Sequence, residues 1–213
     1  MITECTEADF ATLKEQLGRI PRGVVGIAAR STSGEPLVVA TAPRLEDGTP
    51  FPTTYYLTHP AFVTECSRLE ASGIMAEWSS EVSEDDELAA AYAQAHAAYL
   101  AARSEIGATA GIAEVTEIND YSAGGMPTRV KCLHALVGHS LAAGPGVNPI
   151  GDRAISFMTD VPTPAGSVFA DASAAGAPVA DASETDAPTA ATEPTATEPT
   201  DMEPTDTAPE PTE

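Results

Sequence analysis

Side chains able to do chemistry gather in one stretch, Tyr121 to Asp152, YSAGGMPTRVKCLHALVGHSLAAGPGVNPIGD. It carries Cys132, His134 and His139, with Arg129 and Lys131 just behind a glycine pair, Gly124-Gly125. Two chemistries fit these residue types. A glycine pair that lets backbone approach closely, followed by a helix start and cations, suits a small anion such as a phosphorylated metabolite or nucleotide. Gly124, Gly125, Arg129 and Lys131 are the residues for that role. A thiol near an imidazole suits nucleophilic catalysis, which would use Cys132 and His134.

The element that must position them reads as a helix over 128–142. Pro127 suits the first helical position, where a missing N–H is harmless, and Gly144-Pro145 is a stop signal. At about 100° per residue, Val130, Leu133, Val137 and Leu141 share one face, with His134 at its margin. Cys132 and His139 would lie about 10 Å apart along the axis, too far for one metal ion with bonds near 2 Å. Cys132 and His134 would point to nearly opposite sides, and the i, i+4 histidine pair of HExxH is absent. The helix alone is therefore not a metal site, and no metal or other cofactor is expected. Arg129 and Lys131 would diverge by about 160°, which makes Arg129 the better anion contact. Cys132, about six residues into the helix, is more simply a buried thiol than a nucleophile. Neither GxSxG, a Walker loop nor GxGxxG occurs.

Upstream, Thr6 can cap a helix through about Leu17, with Gly18 as its stop. Gly23–Arg30 and Glu35–Thr41 are β-branched, apolar runs around a Ser31-Thr32-Ser33-Gly34 turn, and Thr54–Leu57 reads as a third strand. Pro60 opens a helix to about Ser72, with Phe62, Cys66 and Leu69 inward. His59 then falls at a helix N-terminus, which disfavours the imidazolium and suits a capping or neutral ligand role. Ser83 and Asp86 approximate a capping box for a long helix to Ile106. Its stripe of Leu88, Ala91, Tyr92, Ala95, Tyr99, Ala102 and Ile106 is core. Ile112–Ile118 reads as a short returning strand.

Composition divides the 213 residues unequally. No lysine or arginine follows Arg153, and 12 of the 32 acidic residues lie beyond it, so the net −22 splits into −10 and −12. From about Thr163 the chain is Ala, Thr, Pro, Glu and Asp, with Glu-Pro-Thr recurring at 193, 198, 203 and 210. Such composition buries too little apolar surface to offset chain entropy. The expectation is one α+β domain over 1–160, a small mostly antiparallel sheet covered by three to four helices, and a disordered acidic tail over 161–213. The acidity argues against nucleic-acid binding. No run of 18 apolar residues suggests a membrane span, and the N-terminus lacks the features of a secretory signal. Three widely spaced cysteines suit reduced thiols in the cytoplasm.

SAGGMP (122–127), RVKCLHAL (129–136) and AAGPGVNPIGD (142–152), with Pro21-Arg22-Gly23 and Thr41–Leu45, resemble the actinobacterial family known as domain of unknown function 501. The resemblance spans about residues 7 to 156. It implies no activity. The family's genome setting, near enolase, a septum-formation initiator and an exopolyphosphatase, implies a link to cell division or to polyphosphate or nucleotide metabolism. The resemblance also implies a cysteine turn where this chain has Ser31-Thr32-Ser33-Gly34, and a His or Cys at His59. A metal site of that turn, His59 and Cys132 would here lack its turn thiolates, since serine is a poor zinc ligand. The expected function is thus a small-anion-binding domain. The alternatives are a non-catalytic interaction module with a protein partner, and an enzyme or degenerate metal site using His59, Cys132 and His134.

Overall fold

The computed structural model describes residues 2–166. Helix α1 (Glu7–Leu17) opens on a capping box: Thr6 accepts from the Asp9 N–H, and the Asp9 carboxylate accepts from the Thr6 N–H. Gly18, at φ 71°, ends it in the left-handed conformation that glycine adopts without penalty. Three antiparallel strands follow, β1 (Val24–Arg30), β2 (Pro36–Thr41) and β3 (Tyr55–Leu57), in the order β1-β2-β3. β2 is central and buried throughout, so its apolar run needs no polar alternation.

The two faces of the sheet bury different partners. Val39 and Ile27 meet Leu13 and Phe10 of α1 in a small cluster. Val38, Tyr55 and Leu57 face a larger core that includes Phe62, Trp78, Tyr92, Tyr99, Leu133 and Leu136. That core is closed by α2 (Pro60–Ala71), α3 (Ile74–Glu84), α4 (Asp86–Thr109), α5 (Leu133–Ala143) and α6 (Pro149–Ser156). The α+β expectation holds, with α3 and α6 added to the helices expected.

Three local readings change. Asp85, not Ser83, caps α4, because α3 runs on to Glu84 and Asp85 accepts from the Glu87 and Leu88 N–H groups. Residues 112–118 hold a short 3-10 turn, Thr116–Ile118, in place of a strand. The helix expected over 128–142 begins at Leu133, and Met126-Pro127 is a cis peptide bond outside any helix. At the far end, residues read as tail pair with the sheet. Thr32 N–H donates to the Thr163 carbonyl and Ala165 N–H to the Arg30 carbonyl, both at 2.8 Å. The remaining tail expectation falls on 167–213, outside the described residues.

Candidate functional site

The late start of α5 rearranges the chemistry. Cys132 is the residue before the helix, extended at φ −152° and ψ 108°. Helical spacing therefore does not apply between Cys132 and His134, and the divergence expected of them is corrected. Both converge on Glu70, in the last turn of α2. One donor atom from each of Glu70, Cys132 and His134 lies within 4.8 Å of the others, and all three side chains are half-buried.

Glu70 is fixed by two contacts through one oxygen. Its Oε1 accepts the Leu133 N–H at 2.7 Å, which satisfies a donor left free at the start of α5. The same oxygen lies 3.1 Å from His134 Nδ1. Oε2 has no hydrogen bond among the described residues. The other ring nitrogen, His134 Nε2, faces Ser67 Oγ at 3.4 Å. Cys132 and then Glu70, against the opposing effect of burial, push the His134 imidazole up to about 9. Among the described residues this is the one group of three or more His, Cys, Asp or Glu side chains close enough to share a cation.

The site of turn, His59 and Cys132 does not assemble. His59 caps α2, its Nδ1 accepting the Ala61 N–H at 3.3 Å, and burial lowers its pKa, as that acceptor role requires. Glu70 lies eleven residues further along α2, about 16 Å down the axis. Cys132 is with Glu70. Ser31 and Ser33 bond each other at 2.7 Å, and Ser31 Oγ accepts the Glu35 N–H, so the turn is closed by hydroxyls.

Gly124 and Gly125 have φ of 67° and 97° and form a tight turn in front of the site. A side chain at Gly124 would strike Leu136, and one at Gly125 the Arg129 carbonyl. Four backbone donors around the expected anion site are taken inside the protein, while the Thr128 N–H has no partner among the described residues. Met126 N–H bonds Ala123 O, Arg129 N–H bonds Gly125 O, Lys131 N–H bonds Gly124 O at 2.7 Å, and Val130 N–H bonds Ser79 Oγ. Arg129 and Lys131 are exposed, with no ion pair among the described residues.

His139, read as lying on the same helix as Cys132 about 10 Å along its axis, is 1% exposed. It stacks on Tyr55 with ring centroids 5.7 Å apart, meets Tyr99 edge-on at 5.1 Å, and faces Asn148 Nδ2 at 3.2 Å. Burial brings its pKa down to about 4, so it is a neutral core group at pH 7. Nothing in the sequence singles out Glu70, one acidic residue among 32.

A family model described as "Protein of unknown function (DUF501)" matches residues 27–156, which hold Glu70, Cys132 and His134. No curated protein and no solved structure matches the chain. Among the described residues, no helix is long and apolar enough to cross a membrane.

Proposed function

The chain belongs to the DUF501 family of proteins of unknown function, and we propose that it is a zinc-binding protein whose ligands are Glu70, Cys132 and His134. The observation that carries this reading is the convergence of a thiol, an imidazole and a carboxylate within 4.8 Å of one another. A tetrahedral zinc ion with bonds of about 2.0–2.3 Å places its ligand atoms roughly 3–4 Å apart, so small rotations suffice. The mixed sulfur, nitrogen and oxygen set favours zinc over the hard cations magnesium and calcium, which prefer oxygen alone. Glu70 Oε2 is the free oxygen of a carboxylate already fixed through Oε1, which pre-orients it.

Three protein ligands leave a fourth position, the arrangement of sites that hold a water or an exchangeable anion. A small anion is the second part of the reading. Lys131, exposed and without an ion-pair partner among the described residues, adjoins Cys132 in sequence and is the cation this reading assigns to the anion. The anion contact is then Lys131 with the metal, and Gly124 and Gly125 act by shaping the turn.

Zinc titration of the metal-free full chain tests this. The expected result is one tight equivalent, lost by at least about a hundredfold in affinity in Cys132→Ser and in His134→Ala. Cobalt(II) should give a thiolate charge-transfer band that Cys132→Ser abolishes. Wild-type uptake indistinguishable from that of Cys132→Ser would reduce the cluster to a helix cap with an ion pair.

A further inference from the structure

Away from the three ligands, a cavity of about 540 Å³ opens between α4 and β1. Its apolar walls are Val25 and Ala28 of β1, Ala102 and Ile106 of α4, and Ala142 at the end of α5. The segment Ile2–Glu4 runs along its rim, held to β1 by reciprocal backbone hydrogen bonds between Thr3 and Ile27 at 2.8 and 3.0 Å. Gly26 makes that approach possible, since a side chain there would strike Thr3. The volume lies within the range of about 300–1,000 Å³ typical of small-molecule sites.

Two kinds of polar group line the cavity beside these apolar walls. Tyr55 lines it while only 7% exposed. Its ring is clamped by the stack on His139 and by the edge contact with Tyr99 at 5.7 Å. The Tyr55 hydroxyl has no hydrogen bond among the described residues and opens to the cavity, so it is free to meet a ligand. Burial first, then Tyr99 and Glu105, push that hydroxyl up to about 12, so it stays protonated at pH 7. The second kind is acidic. Glu105 and Glu4 line the same cavity, and neither has an ion pair among the described residues.

We propose that this cavity binds a small organic ammonium ion with an apolar body. The ammonium donates to the Glu105 carboxylate and the Tyr55 hydroxyl, and the body lies against Ala28, Ala102 and Ile106. An ammonium brings three donors to a place that offers acceptors and, among the described residues, no cation. A carboxylate or phosphate would meet two negative side chains in a chain of net charge −22 and is excluded by charge. A neutral alcohol of the same length would fill the walls and leave Glu105 unpaired. The binding is independent of the zinc reading, because none of the three zinc ligands lines the cavity.

Calorimetric titration of the full chain with hexylammonium, hexanol and hexanoate separates head group from body, and methylammonium reports charge without a body. Hexylammonium is expected to bind at submillimolar concentration. Hexanol and methylammonium should bind at least about tenfold more weakly, a difference of about 1.4 kcal/mol. Hexanoate should not bind. Glu105→Gln, an exposed side chain that the fold does not need, should weaken hexylammonium at least tenfold, roughly the same energy. Ala102→Leu, which narrows the cavity and leaves both acids in place, should weaken it as well. Cys132→Ser should leave it unchanged. No hexylammonium binding at millimolar concentration, equal binding of hexanoate, or indifference to Glu105→Gln would each overturn the proposal.

Discussion

His139 is a histidine that the fold keeps uncharged. Tyr55, Tyr99 and Asn148 enclose it, and burial brings its pKa from 6.5 to about 4. The unfolded chain therefore binds a proton that the folded chain refuses across that interval. Stability from this group is fully present above about pH 6.5 and is lost as pH falls towards 4. At about 1.4 kcal/mol per pH unit the loss is of order 3 kcal/mol. Asp9 acts in the same sense at lower pH: its hydrogen bonds to Arg30, at 2.6 and 2.9 Å, hold its carboxyl well below the usual range. His139→Gln keeps an acceptor for Asn148 and removes the titration. Urea unfolding between pH 7 and 4 should show a flatter pH dependence in this variant than in the wild type, and parallel curves would refute the assignment.

At the scale of elements, α4 is fastened to two loops by one cation. Arg103, 5% exposed, donates to Thr54 Oγ1 and to the carbonyls of Pro52, Ile118, Tyr121 and Ser122, and lies over the Tyr99 ring at 5.4 Å. Arg103→Met would take the donor from the Tyr121 and Ser122 carbonyls and from Thr54 Oγ1, while Ile118 O keeps the Tyr121 N–H and Pro52 O the Tyr99 hydroxyl. At about 1–3 kcal/mol for each group left unpaired, a loss of at least about 2 kcal/mol in unfolding free energy is expected from urea titration. A loss under about 1 kcal/mol would mean that water replaces the guanidinium. This tie was not legible in the sequence, where Arg103 flanks an apolar stripe and looks solvated. What was legible rests on local signals: the Thr6 cap, the Gly18 stop, the Ser31–Gly34 turn, and Pro60 opening α2. α3 escaped because it abuts α4 with no glycine or proline between, and Asp85 both ends one helix and caps the next. Pro127 misled because its local preference for a helix start lost to the Gly124-Gly125 turn, which folds back on Leu136. With that, the relation between Cys132 and His134 was misread. Glu70 and Tyr55 acquire their meaning from contacts with residues far away in sequence, which no spacing rule reaches.

On the scale of the whole molecule, the fold is closed at its end by residues 163–165, which lie against the β1–β2 hairpin. A chain ending at Gly166 should unfold at the temperature of the full chain, because the segment removed is poor in large apolar residues. A chain ending at Asp160 also loses two backbone hydrogen bonds, each worth about 1 kcal/mol, and should unfold a few degrees lower. Coincident melts of the Asp160 and Gly166 chains would show that the clamp contributes nothing. The contacts of Glu70 with Leu133 and His134 close a much larger circuit. Both α3 and α4 lie between the joined points, as does the glycine turn. Fixing residue 70 against residue 133 surrenders the freedom of some sixty residues of chain. Bringing the two ends of such a loop together costs about 4 kcal/mol of chain entropy, which the contacts around it must offset. The α3–α4 pair, whose contacts are near in sequence, can form before that circuit shuts. A cation held there would lock the circuit as a staple does, and the stretch from α2 to α5 would then come apart as one unit.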